Sequence, residues 1–199
     1  MSFISGKNRT AIAASEKGVA NGVATLDGTG NVPAGQLGNA ASTNQTIQTH
    51  VNTTSSQSLT GGTRANITGL TATITPSNTS KRIKISVRWN GEYSSTANQD
   101  VVFGIRRNGT DIGNPAAAGV RAIGIAILAQ GYYTSENTST PDSCIYEYID
   151  SPASTSALIY TATILYKASG TLYNQRSVND ANATNFERTT STIILEEID

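Results

Sequence analysis

The sequence predicts an all-β fold, a single antiparallel β-sandwich that follows an extended N-terminal arm and a polar linker. Three observations predict it. First, residues 81–89 alternate strictly, with Ile83, Ile85, Val87 and Trp89 on one parity and Arg82, Lys84, Ser86 and Arg88 on the other. That is the pattern of a strand with one buried and one wet face. Second, short β-like runs recur from residue 67 to the end, separated by Gly, Pro, Asn and Ser, and no stretch sustains a helical period. Third, only 37% of the 199 residues are hydrophobic and 14% are charged, while Thr, Ser, Asn, Ala and Gly dominate. Such a composition suits β-sheets with uncharged polar faces and argues against a helical bundle or a charged disordered tail.

The length allows one core of ordinary size plus an arm. Residues 1–40 form that arm. A small apolar patch, Phe3 and Ile4, precedes Lys7, Asn8 and Arg9, and the stretch from Gly18 to Gly38 is punctuated by Gly22, Gly28, Gly30, Gly35 and Pro33. Asp27-Gly28 and Gly30-Asn31 are turn signals. Between them Val23, Leu26, Val32 and Leu37 stand singly, too few for a core but spaced to anchor a meandering segment on a neighbouring surface. With Phe3 and Ile4 they are the expected anchoring residues. Residues 41–64 are rich in Ser, Thr, Asn and Gln and read as a polar linker or stalk. Residues 65–199 are the expected head.

Within the head, 67–75 is a weaker strand that stops at Pro76-Ser77-Asn78, and 81–89 is the clearest one. Residues 101–106 and 110–112 flank Asn108-Gly109, a pair favoured in two-residue hairpin turns because both positions need positive φ. Residues 121–130 place Ile123, Ile125 and Ile127 on one parity and Ala122, Gly124 and Ala126 on the other. The expectation is a strand whose bare face lets another backbone come close. Residues 143–150 alternate Ile145, Glu147 and Ile149 against Cys144, Tyr146 and Tyr148. The longest run, 157–167, is followed across Gly170 by 171–174, which reads as a hairpin, and 190–198 closes the chain with Ile193, Ile194 and Leu195 apolar on both parities.

Several functional classes are disfavoured by the same text. Fourteen basic residues balance fourteen acidic ones, so no net field holds nucleic acid or an anionic membrane. Cys144 is the sole cysteine, which excludes an internal disulfide and a cysteine-based metal site. No apolar run is long enough to cross a bilayer, and no h-region marks a signal peptide, so the expectation is synthesis in the cytoplasm without secretion. His50 is the sole histidine, far in sequence from Cys144 and from any acidic pair, and no nucleophile elbow, phosphate loop or metal-binding string is present. Paired carboxylates do not stand out either, since Glu196 and Glu197 point to opposite faces of a strand. No catalytic residue, metal or cofactor is expected. Tyrosines are the binding candidates, because a flat apolar ring with a polar tip suits sugars and protein contacts. Tyr93, Tyr132 and Tyr133 lie beside loops and are the receptor candidates, whereas Tyr146, Tyr148, Tyr160 and Tyr166 are expected to pack within the sandwich or between subunits with their hydroxyls at the rim.

The string Gly22-Val23-Ala24-Thr25-Leu26-Asp27, then Gly30, Val32-Pro33 and Gln36-Leu37, resembles a connector of tail-fibre and other virion proteins of tailed bacteriophages. The succession of short strands ending in Thr192-Ile193-Ile194-Leu195-Glu196-Glu197-Ile198-Asp199 is similar to the trimeric jelly-roll, TNF-like heads of phage fibres. The resemblance implies a homotrimer located on the virion, an arm bound to other tail or capsid proteins, and a head that meets a host-surface glycan or protein. It implies no enzymatic activity. Ala122, Gly124 and Ala126 then become the expected packing residues near a three-fold axis. A capsid decoration, cement or head-fibre protein is the alternative, and a polysaccharide-cleaving spike the remaining one.

Overall fold

The computed structural model describes Leu26 and residues 28–32, 44–94, 100–117, 119–128 and 139–199. The chain divides into two units, Met1–Thr43 and Asn44–Asp199. In the first, residues 28–30 form a turn where the glycine signals place one, and Asn31 donates from Nδ2 to Thr29 Oγ1 at 3.1 Å. Leu26 is 63% exposed, and Val32 is half-buried. Phe3, Ile4, Val23 and Leu37 lie outside the described residues.

The second unit is all β. Its strands are β1 (Thr46–Val51), β2 (Ser55–Leu59), β3 (Arg64–Ile74), β4 (Arg82–Tyr93), β5 (Val101–Arg107), β6 (Thr110–Ile112), β7 (Asp142–Asp150), β8 (Leu158–Tyr166), β9 (Gly170–Asn174) and β10 (Ser191–Ile198). One sheet of four strands runs β3-β8-β5-β6, and one of six holds β1, β10, β4, β9, β2 and β7. Every pairing is antiparallel. Arg88 pairs with both Ile145 and Thr192, and Gly91 with both Asp142 and Asn174. A residue has only two edges, so β10 and β9 share one edge of β4 and β7 takes the other.

The pairs β5·β6, β4·β7, β3·β8 and β1·β10 nest successively around the Asn108-Gly109 turn. This is one long hairpin rolled into two facing sheets, the wiring of a jelly roll. The turn has φ of 49° at Asn108 and 84° at Gly109, the left-handed pair that the sequence implies.

Alternation decides the core. Ile83, Ile85, Val87 and Trp89 of β4 are buried, as are Phe103 and Ile105 of β5, Tyr160, Ala162 and Ile164 of β8, and Ile193 and Leu195 of β10. Aromatic rings tie the sheets together. Trp89 meets Phe103 with centroids 5.3 Å apart, Phe103 meets Tyr146 at 6.0 Å, and Tyr93 stacks on Tyr166 at 3.7 Å. In β3 the buried residues Ile67 and Leu70 are three apart, which a regular strand would send to opposite faces. A bulge re-phases them, its register breaking between Asn66 and Thr71, with Gly69 at φ 82°. Gln57 of β2 serves the bulge backbone: Nε2 donates to Asn66 O at 2.6 Å, and Oε1 accepts from Thr68 N at 3.1 Å.

Buried polar groups fasten the layers. Asp150 accepts from Arg107 NH1 at 2.7 Å and from the Tyr160 hydroxyl at 2.7 Å. Glu92 accepts from Thr140 N at 3.0 Å and Val178 N at 2.7 Å, joining two loops to the end of β4. Glu197 accepts from Ser77 N at 2.8 Å and from the Ser77 hydroxyl. Lys81, on the same parity as Ile83 and Ile85, is also buried, and its ammonium reaches Asn44 Oδ1 at 3.0 Å and the Asp199 carboxylate.

Four expectations are corrected. Residues 41–64 are not simply a linker, because β1 and β2 occupy 46–51 and 55–59 and complete the six-stranded sheet. The stretch 121–128 forms no strand; its one ladder contact is the bridge between Ala126 and Phe103. Its two parities are also not sorted as expected, since Ile127 is 70% exposed while Ala126 packs against the core alongside Ile125. Finally, β8 and β9 form no hairpin. They belong to different sheets, with β9 held between β4 and β2.

Candidate functional site

The wet face of the six-stranded sheet is the most distinctive surface among the described residues. Register lines its outward side chains into three rows. One runs Gln48, Ile194, Ser86, Glu147; the next His50, Thr192, Arg88, Ile145; the third Thr46, Glu196, Lys84, Ile149. In the middle, Lys84 Nζ lies 3.0 Å from Glu147 and 3.8 Å from Glu196, and the Ser86 hydroxyl donates to Glu147 at 2.8 Å. Around this charged centre stand aliphatic groups, Ile145 at 72% exposure and Ile149 at 47%, with Ile194 half-buried. A hollow of about 260 Å³ opens between Ile145 and Ile194, with Ser86, Arg88, Gln48 and Thr192 at its sides.

The isoleucines point outward because β7 has two apolar parities and the aromatic one wins. Cys144 and Tyr146 are buried, which sends Ile145 and Ile149 to solvent. Burial of the larger side chains stabilises more, so the ring-bearing parity takes the core. The alternation alone leaves the orientation of β7 open.

Electrostatics on this face are mutual. The Lys84 hydrogen bond holds the Glu147 carboxyl below the usual carboxylate value, and Glu147 in turn raises the Lys84 ammonium. Lowered in the folded state, the Glu147 pKa adds stability above the ordinary glutamate value, and that contribution is lost as pH falls through its own midpoint. Both groups are solvent-exposed, so the expected gain is small. We expect Lys84→Ala to move the Glu147 midpoint upward in a carboxyl-resolved NMR titration, with little change in unfolding midpoint. An unmoved Glu147 would show that the pair does not form in solution.

Two further concavities stand out among the described residues. One of about 590 Å³ lies against the outer face of the four-stranded sheet, where Val102 and Leu165 meet Val120, Arg121 and Ile127. The second, about 470 Å³, is bounded by Asp180, Asn182, Phe186 and Arg188, with Arg188 clamping Asp180 at 2.8 Å. Among the described residues there is no group of three or more His, Cys, Asp or Glu side chains placed to hold a metal ion. The buried carboxylates of Glu92, Asp150 and Glu197 all accept from internal donors. His50 lies 3.4 Å from Thr192 Oγ1 at the edge of the wet face. Cys144 is buried, and desolvation pushes its thiol up to about 12, so a thiolate is not accessible at neutral pH.

The sequence candidates separate. Tyr93 is only 2% exposed, stacked on Tyr166, and its hydroxyl donates to Ala168 O at 2.8 Å. This corrects its assignment as a receptor residue, because its ring face is already covered. Tyr132 and Tyr133 lie outside the described residues. Tyr146, Tyr160 and Tyr166 pack in the core, as expected, although the Tyr146 and Tyr160 hydroxyls bond to buried groups instead of reaching the rim. Ala122 is exposed, whereas Gly124 lies so near β5 that a Cβ there would stand 2.6 Å from Phe103 O. The close backbone approach foreseen for this stretch therefore occurs within one chain.

The fold and surface define an antiparallel jelly-roll domain with an amphipathic exposed sheet. No family model matches the chain, and no curated protein matches it.

Proposed function

We propose that this protein is a non-enzymatic structural component of a bacteriophage virion. Residues 1–40 fix it to other tail or capsid proteins, and the jelly-roll domain assembles as a homotrimer that meets a glycan or protein on the host surface. The observation that carries this reading is the connector string from Gly22 to Leu37 standing ahead of a jelly-roll domain. Supporting it, the acid and base counts balance, which disfavours a nucleic-acid role. Several chains per assembly give avidity, so weak individual contacts suffice for attachment.

The test is immunoelectron microscopy of intact particles with an antibody against residues 80–199. Label clustered on the tail is the expected result. Label spread over the head would replace host attachment with capsid decoration or a head fibre, and particles without label would overturn the virion reading.

A further inference from the structure

We propose that the outer face of the six-stranded sheet is the surface through which copies of this chain meet. The inference rests on the homotrimer of the reading above and on no other part of it.

Three observations point to a second copy as the occupant. The first is composition. Ile145 and Ile149 are large aliphatic side chains at 72% and 47% exposure on one strand, beside half-buried Ile194. Ile145 and Ile149 stand on β7 to one side of the Lys84–Glu147 pair, with Gln48, His50, Arg88 and Glu196 across the rest of the face, so large aliphatic side chains lie exposed among polar ones, as at the surface of a protein contact.

The second is charge. Over the three rows the cations are Lys84 and Arg88 and the anions are Glu147 and Glu196, so the face carries no surplus of either sign. Arg88 has a hydrogen bond of only 3.4 Å, to Thr190 Oγ1. Glu196 meets Lys84 at a loose 3.8 Å and keeps 41% side-chain exposure. One copy therefore offers a weakly engaged guanidinium and the next a weakly engaged carboxylate, which is electrostatic self-complementarity.

The third is shape. Ile145 stands proud beside a hollow of about 260 Å³. An apolar space of about 150 Å³ already accepts a benzene-sized guest, so this hollow has room for an aliphatic side chain. A face bearing both a knob and a socket lets the knob of one copy seat in the socket of the next, the head-to-tail contact that can close into a ring. The small residues Gly124 and Ala126 do not compete for this role, since they lie against Phe103 of their own chain.

The test is the solution mass of the full chain by sedimentation equilibrium. The wild type is expected at three times the 20.8 kDa of one chain. The double variant Ile145→Lys, Ile149→Lys is expected at the mass of one chain with its far-ultraviolet circular dichroism unchanged, because both side chains are exposed in the single chain. A threefold mass in that variant overturns the proposal and leaves the trimeric reading standing. A monomeric wild type overturns both. Should the double variant fail to fold, the conservative variants Ile145→Cys and Ile127→Cys decide by maleimide labelling, with buried Cys144 silent. Ile145→Cys is expected to react at least about ten-fold more slowly than Ile127→Cys, as reaction waits on interface opening. Equal rates overturn the proposal.

Discussion

Replacing Trp89 by Ala is expected to destabilise the jelly-roll domain by about 3–5 kcal/mol, the usual loss when a fully buried aromatic is truncated. Trp89 is 1% exposed at the middle of β4, and its ring meets Phe103 of the opposite sheet at 5.3 Å. Its indole Nε1 donates to Asn174 Oδ1 at 2.9 Å in a buried setting. Truncation therefore opens a cavity between the layers and strands an acceptor on β9. Trp89→Phe separates the two effects. It keeps much of the aromatic packing but leaves Asn174 Oδ1 without its donor, so a smaller loss of about 1–3 kcal/mol is expected. Urea unfolding followed by circular dichroism, at one fixed protein concentration, measures both. A loss below about 1 kcal/mol for Trp89→Ala would contradict the placement of this ring between the sheets.

The second large effect is alkaline unfolding. Tyr146, Tyr160 and Tyr166 are all raised above the ordinary phenol value, in each case chiefly by burial. Asp150 raises Tyr160 further by accepting a hydrogen bond from its hydroxyl and by opposing a second negative charge. A group raised in the folded state contributes stability that is complete below the unfolded pKa, about 10 for tyrosine, and declines as pH climbs toward the folded value. Each such tyrosine costs about 1.4 kcal/mol per pH unit over that window, and three together about 4 kcal/mol per unit. Against a total of about 5–15 kcal/mol for a typical domain, a loss of about 4 kcal/mol per unit above pH 10 is enough to unfold a domain at the lower end of that range within about one to two units. Tyrosinate absorbance of these residues is thus expected to appear in one cooperative step together with loss of β-sheet circular dichroism. Phenols that all titrate near pH 10 in a still-folded protein would contradict the burial of all three.

How far the sequence leads is best seen strand by strand. On its own it determined β4, because strict alternation of four apolar and four polar residues has only one sheet solution, and it determined the β5–β6 hairpin, because Asn108-Gly109 accepts φ of 49° and 84° at little cost. It also determined the all-β class, from short runs and abundant turn residues. β1 and β2 were beyond it. Their residues are mostly Ser, Thr and Gln, and they become strands by pairing with β10 and β9, which come more than a hundred residues later in the chain. Intrinsic propensity is weak beside such pairing.

The candidate site was legible only in part. Arg82, Lys84, Ser86 and Arg88 could be assigned to a wet face from β4 alone. That Ile145, Ile149 and Ile194 join them depends on register between three strands, on Tyr146 and Cys144 taking the core side of β7, and on Ile193 and Leu195 taking that of β10. Tyr93 and the 121–128 stretch reverse their expected roles for the same reason. A side chain beside a loop, or a run of alternating small residues, looks outward or inward only once the opposite sheet is present. Tyr166 covers the Tyr93 ring, and β5 takes the close approach at Gly124. Local residue pattern therefore determined which segments extend and where they turn. Tertiary structure alone decided which face of each strand water sees, because that choice is a competition for burial between residues far apart in the chain.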